Sequence, residues 1–222
     1  DRLEGLDLSK AEVSPQQKQE LLQLLCEYQD VFASKINQLG RTDVVEHKIV
    51  LEEGSRPFRA RPYRANPEQR QETDRQIKEM LDANIIRPST SSFASPVVLV
   101  TKSDGTKRFC VDYRKLNSIT KTDAYTLPRI DNTLDSLGAS NPILFSTVDA
   151  LSGYWQVNMS QDSIDKTAFV SHASLFESLS QPFGLKNCSA VWQRLMDSVL
   201  CSLNYKSCLV FQDDCIRSEE HT

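Results

Sequence analysis

Glycine is scarce, seven in 222 residues, and the seven form neither GxxxxGK nor GxGxxG. That excludes the phosphate-cradling P-loop and the Rossmann dinucleotide fingerprint. Paired cysteine motifs are missing too: Cys26, Cys110, Cys188, Cys201, Cys208 and Cys215 include no CxxC and lie scattered in apolar surroundings. They read as reduced core thiols of an intracellular protein. His47, His172 and His221 stand far apart, which gives a zinc site little support. No apolar run approaches the roughly 18 residues of a membrane span, and DRLEGLDLSK lacks the basic-then-apolar plan of a secretory signal. The first residue is Asp rather than Met, which reads as a piece of something longer. What remains is a soluble globular chain, 39% hydrophobic, able to bury a sizeable core as one large domain or two lobes.

Charge is unevenly spread. Residues 1–55 carry 6 basic and 11 acidic side chains, residues 56–130 carry 15 and 8, and residues 131–222 carry 5 and 11. A basic middle third inside an acidic chain suits a surface that follows a polyanion, because phosphate binding depends on local Lys and Arg. A solvated basic face without ligand is the plainer alternative.

The chain's hydrophobic patterning mixes helices and strands. Ser14 and Pro15 open a helix with Leu21, Leu24, Leu25, Tyr28, Val31 and Phe32 at helical spacing. Gly40 and GRTD end this acidic leader, and VEHKIVL then alternates as a strand. SRPFRARPYRANP sets Arg56, Arg59, Arg61 and Arg64 among Phe58 and Tyr63 on an extended path. It could follow a nucleic-acid backbone or lie as an arm held to the protein by its aromatics. Asn66, Pro67 and Gln69 open a second helix that runs to about Asn84, with Ile77, Met80, Leu81 and Ile85 on one face. SSFASPVVLVTK and TKRFCVDYR flank Ser103, Asp104 and Gly105 as a β-hairpin, its tip bearing Lys102, Lys107 and Arg108. A helix is expected from about Ile130 to Leu137.

Two apolar runs then carry carboxylates to strand ends. Ile143 to Val148 delivers Asp149, and Lys206 to Phe211 delivers Asp213 and Asp214 to a turn. Hard oxygen ligands placed so suit Mg²⁺, and two such ions about 3.5 to 4 Å apart clamp an in-line displacement at phosphorus. A solvated acidic turn is the plain alternative.

FCVDYRKLN, AYTLPRID, FSTVDALSGYW, KTAF, PFGLKN and FQDD follow one another in an order that resembles the reverse transcriptase of gypsy-type LTR retrotransposons. The likeness runs from near the N-terminus to the last few residues. It implies an α+β right-hand polymerase fold, fingers plus a partial palm with an antiparallel sheet, the thumb and RNase H lying outside the chain. Residues 1–42 would be the acidic leader from the protease-polymerase linker and 43–222 the fingers and palm. The implied activity is RNA-directed DNA synthesis on a primer with an RNA or DNA template. Asp149, Asp213 and Asp214 would be catalytic and hold two Mg²⁺, or Mn²⁺ in its place, with the Ala150 carbonyl as a further ligand. Lys102 and Arg108 would grip the dNTP triphosphate. Tyr154 would crowd a ribose 2′ hydroxyl, Phe183 and Gly184 would lie near the nucleotide, and Gln193 would support the template and nucleotide site. Asp112 and Arg114 are expected to pair structurally. No membrane partner is implied, and the location would be the cytoplasm. An inactive or co-opted remnant that binds nucleic acid or a protein is the alternative.

The chain departs from the family pattern in places. Gln212 takes an aliphatic position between Phe211 and the aspartates. Ser174, Ser178 and Gln181 replace a Gly, an aromatic and an apolar residue, which puts strand packing there in question. Cys188 and Ser189 stand where Ala and Pro are usual. The segment after Asp214 is expected to be a short, poorly bracing strand. No DTG or DSG triplet of a retroviral-type protease and no Cys-His box occurs.

Overall fold

The computed structural model describes residues 13–132, 135, 144–204 and 207–219. The chain divides into two compact units, residues 1–40 and 41–222. In the first, α1 (Pro15–Glu27) starts at Ser14 with a capping box: the Gln17 N–H donates to Ser14 Oγ, and Gln17 Oε1 accepts from the Ser14 N–H. The helix stops at Glu27, short of the predicted stripe, so Val31 and Phe32 fall in and after a 3-10 turn. No α1 residue is buried.

Among its described residues the second unit holds three sheets. β2 (Ile86–Pro88), β3 (Ser95–Thr101), β4 (Lys107–Val111), β7 (Phe169–Val170) and β8 (Leu175–Ser178) form one in the order β2-β8-β7-β3-β4. β5 (Leu144–Asp149), β9 (Leu209–Phe211) and β10 (Asp214–Glu219) form an antiparallel sheet with β10 in the middle. β1 (Thr42–His47) and β6 (Val157–Met159) pair in parallel. Three helices lie wholly within the unit's described residues: α2 (Pro67–Asp82), α3 (Arg114–Ser118) and α4 (Cys188–Val199).

Local chemistry sets most boundaries. Asn66 and Gln69 close a reciprocal capping box on α2, Pro67 sits where its missing N–H costs nothing, and Asn84 turns the chain left-handed at φ 53°. Ile77 and Met80 bury their side chains from the helix, and Ile85 does so just beyond it. The β3–β4 hairpin turns through residues 102–106, with Gly105 at φ 81°. Of the helix expected at 130–137, Ile130, Asp131, Asn132 and Asp135 are helical and the remainder lies outside the described residues, as do Ile143 and Lys206.

The strand read from VEHKIVL begins earlier and ends at His47, because Ile49 leaves the ladder for the core and donates its N–H to the Ser163 hydroxyl. That core gathers Ile49, Phe58, Phe93, Tyr113, Leu116 and Met159. Phe58 pins the arginine-rich segment edge-on against Phe93, while Arg56, Arg59, Arg61 and Arg64 stay exposed. The uniform reading of the cysteines needs correction: all six are free, but Cys26 and Cys201 are exposed and only Cys188 and Cys208 are buried.

Of the polar replacements, one finds side-chain partners and two take part in backbone bonds. Gln181, wholly buried, meets His47 Nδ1 at 3.0 Å and donates to the Cys188 carbonyl. Ser178 donates its N–H to the Thr167 hydroxyl, and the Ser174 carbonyl accepts the Ser171 N–H in the turn between β7 and β8. β10 also differs from expectation, since its six residues run the full length of β5.

Candidate active site

β5 ends on Asp149 and β10 begins on Asp214, and the two residues are direct partners across the ladder. Phe211 and Asp214 pair across the β9–β10 hairpin, so Gln212 and Asp213 form its two-residue turn. Tight hairpins of this kind need positive φ, which Gln212 supplies at 53°. The Ala150 N–H donates to the Asp213 carbonyl at 3.3 Å, tying the chain beyond β5 to the turn.

The three carboxylates are therefore neighbours. Burial, then the charges of Asp149 and Asp214, push the Asp213 carboxyl above the usual carboxylate range. Its Oδ1 is buried with no hydrogen-bond partner, a state that normally costs stability. A cation would relieve both the repulsion and the orphaned acceptor. Among the described residues no three His, Cys, Asp or Glu side chains close into a metal cage. Mg²⁺ does not require one, because it takes one or two carboxylates and completes its octahedron with water and phosphate oxygens. The residues present thus fit the ion. Ala150 keeps one carbonyl lone pair free of its bond from the Gly153 N–H.

Beyond Asp149 a 3-10 turn, Gly153–Gln156, presents Tyr154. Its ring lies 5.3 Å from Phe183 and 6.1 Å from Trp192, and its hydroxyl is 3.1 Å from Ser189 Oγ. Burial raises the phenol above its ordinary range. The Arg108 guanidinium sits over the same Phe183 ring at 5.1 Å, so Arg108, Phe183 and Tyr154 form one contiguous group. Gly184, exposed at φ 93°, follows Phe183. Asn117 of α3 holds that loop, donating to the Gly184 carbonyl and accepting from the Lys186 N–H. Lys102 stays exposed at the hairpin turn, its N–H on the Thr106 carbonyl. Asp112 and Arg114 make the structural pair, which holds the Asp112 carboxyl down at about 2.

Gln193 is fully buried. Its Oε1 accepts the Gln212 N–H at 3.1 Å and its Nε2 donates to Asp197. Asp197 in turn accepts the Tyr125 hydroxyl at 2.6 Å. Asn117, Tyr125, Trp192 and Asp197 went unread as site residues in the sequence; only the apolar stripe of α4 hinted at which of its faces turns inward.

Residues 100–220 match the family model described as reverse transcriptase (RNA-dependent DNA polymerase). The chain belongs to the reverse transcriptase family. Within this family it is similar to Pol polyproteins of Drosophila melanogaster transposons. It is 38% identical to that of opus over 208 residues, 91% of this chain and 20% of that protein. It is 37% identical to that of gypsy over 152 residues, 66% of this chain and 14% of that protein. Both are retrovirus-related Pol polyproteins. A foamy viral protease-reverse transcriptase solved with an RNA/DNA hybrid superposes at a TM-score of 0.80 and 24% identity, over 97% of this chain and 28% of that one. The reverse transcriptase fold, fingers and part of the palm, is thereby shared. The chain spans between about a seventh and a third of the length of these proteins.

Proposed function

We propose that this chain is the fingers and catalytic palm portion of an RNA-directed DNA polymerase that adds dNTPs to a primer 3′ hydroxyl and releases pyrophosphate. The observation that carries the reading is Asp149 directly across from Asp214, with Asp213 in the adjoining turn. Asp149, Asp213 and Asp214, with the Ala150 carbonyl, would hold two Mg²⁺, or Mn²⁺ in their place. When bound, such ions favour the 3′ alkoxide and neutralise charge on the leaving pyrophosphate.

The chain's own side chains select and hold the nucleotide. Arg108, stacked on Phe183, offers a planar guanidinium for a bidentate phosphate contact, and Lys102 adds a point charge from the hairpin turn. Tyr154 stands where its ring meets a 2′ hydroxyl, held by Phe183, Trp192 and Ser189. Phe183 and Gly184 lie beside the base and sugar. Gln193 acts from beneath, through the turn. The exposed arginines of residues 56–64 follow the nucleic-acid backbone, RNA or DNA template with primer. Among the described residues no helix is long and apolar enough to cross a membrane, and we place the activity in the cytoplasm.

The test is primer extension on an RNA template with dNTPs and Mg²⁺, using the chain within its longer polyprotein beside an Asp213→Asn control. Incorporation that the control abolishes is the expected result. Salt-sensitive nucleic-acid binding with no incorporation would instead identify a remnant that binds without catalysis.

A further inference from the structure

Trp192 touches both segments that carry the carboxylates. Its indole N–H donates to the Gln212 carbonyl at 2.9 Å, in the turn immediately before Asp213. The six-membered ring of the same indole lies against Gly153, where a Cβ would sit 2.7 Å away, and edge-on to Tyr154, both just after Asp149. Gln212 needs holding, because its left-handed backbone is strained for a residue with a side chain. Consecutive α4 residues hold it, Gln193 at the N–H and Trp192 at the carbonyl.

We propose that Trp192 is a positioning residue that sets Asp213 against Asp149 through its indole N–H on the Gln212 carbonyl. A phenylalanine would fill most of the same core space but could not donate that bond. The bond therefore separates positioning from packing. The inference deepens the proposed function and rests on the aspartates being its metal-holding set. Small displacements of reacting groups are costly to catalysis of this kind, on the order of 10²-fold for about 1 Å.

The experiment compares the whole chain with its Trp192→Phe variant by amide hydrogen exchange and by Mn²⁺ titration. Expected are exchange at Gln212 and Asp213 faster by about tenfold, with the α4 and β5–β10 amides unchanged, and Mn²⁺ binding weakened several-fold. Adding Gln212→Gly should recover much of the lost Mn²⁺ affinity, because glycine takes the left-handed turn without strain. A purely structural tryptophan would speed exchange across helix and sheet together and would show no rescue. Unchanged Gln212 exchange in a folded Trp192→Phe variant overturns the proposal. If that variant does not fold, the native chain decides: the Trp192 indole proton must exchange as slowly as the Gln212 amide, and exchange at the solvent rate overturns it. Asp213→Asn separates the two readings. If Mn²⁺ still binds to that variant the metal assignment fails, while the exchange data still decide the role of Trp192.

Discussion

Gly153→Ala isolates one steric contact, because Gly153 does not occupy the left-handed region and an added methyl group raises only the question of space. That space is taken. The new Cβ would lie 2.7 Å from both Cη2 and Cζ2 of Trp192 and 3.2 Å from Cε2, against about 3.5 to 4.0 Å for a comfortable carbon contact. Trp192 is 2% exposed, and its indole is tethered to the Gln212 carbonyl at 2.9 Å, so the ring cannot swing aside without losing a bond. Overpacking of this kind costs about 1 to 3 kcal/mol, and a broken hydrogen bond adds about 1 kcal/mol. For a domain this size each kcal/mol lowers Tm by about 2 to 4 °C, so a fall of roughly 4 to 16 °C is expected in a thermal melt. The loss should shrink in a Trp192→Phe background, which lacks the colliding ring. A Tm within about 1 °C of the parent, with unaltered tryptophan fluorescence, would refute the packing argument.

Asp213→Asn should raise Tm at neutral pH without metal: the folded carboxyl binds its proton more tightly than the unfolded one, so ionisation removes stability as pH rises through the raised pKa. A melt showing the Asp213→Asn variant less stable than the parent would contradict that sign. Gln181→Leu should cost about 1 to 3 kcal/mol by stranding buried His47, and adding His47→Leu should restore much of it in urea unfolding. Burial holds His47 below the ordinary histidine pKa, so the parent should lose stability as pH falls below about 6.5, and the double variant should lose that dependence. In an active polyprotein, Arg108→Ala should weaken dNTP binding, measured as KM, and unchanged affinity would remove Arg108 from the site. Tyr154→Val should raise rNTP use relative to dNTP, whereas equal loss of both would mark Tyr154 as structural.

What the sequence determined by itself was local. Asn66, Pro67 and Gln69 carry their own capping geometry, and Asp104 and Gly105 their own turn, because each is decided by bonds among residues a few positions apart. The short apolar runs before Asp149 and Asp213 marked strand ends for the same reason, and the motif order named the family. Tertiary structure decided how distant pieces meet. Asp149 and Asp214 become partners only because β10 pairs along all of β5, a ladder that no short-range pattern announces. The departure at Gln181 looked like a defect because the partner of its side chain, His47, is remote in sequence, and the Trp192–Gln193 pair that holds the Gln212 backbone is likewise out of reach of local patterns. Gln193 read as a support of the template and nucleotide site and Trp192 went unread, until the approach of α4 to the Gln212–Asp213 turn buried one amide and gave the other residue's indole N–H a carbonyl to hold. A buried polar group's role is set by what lies within about 3 Å of it, and in this chain those neighbours come from the far side of the fold.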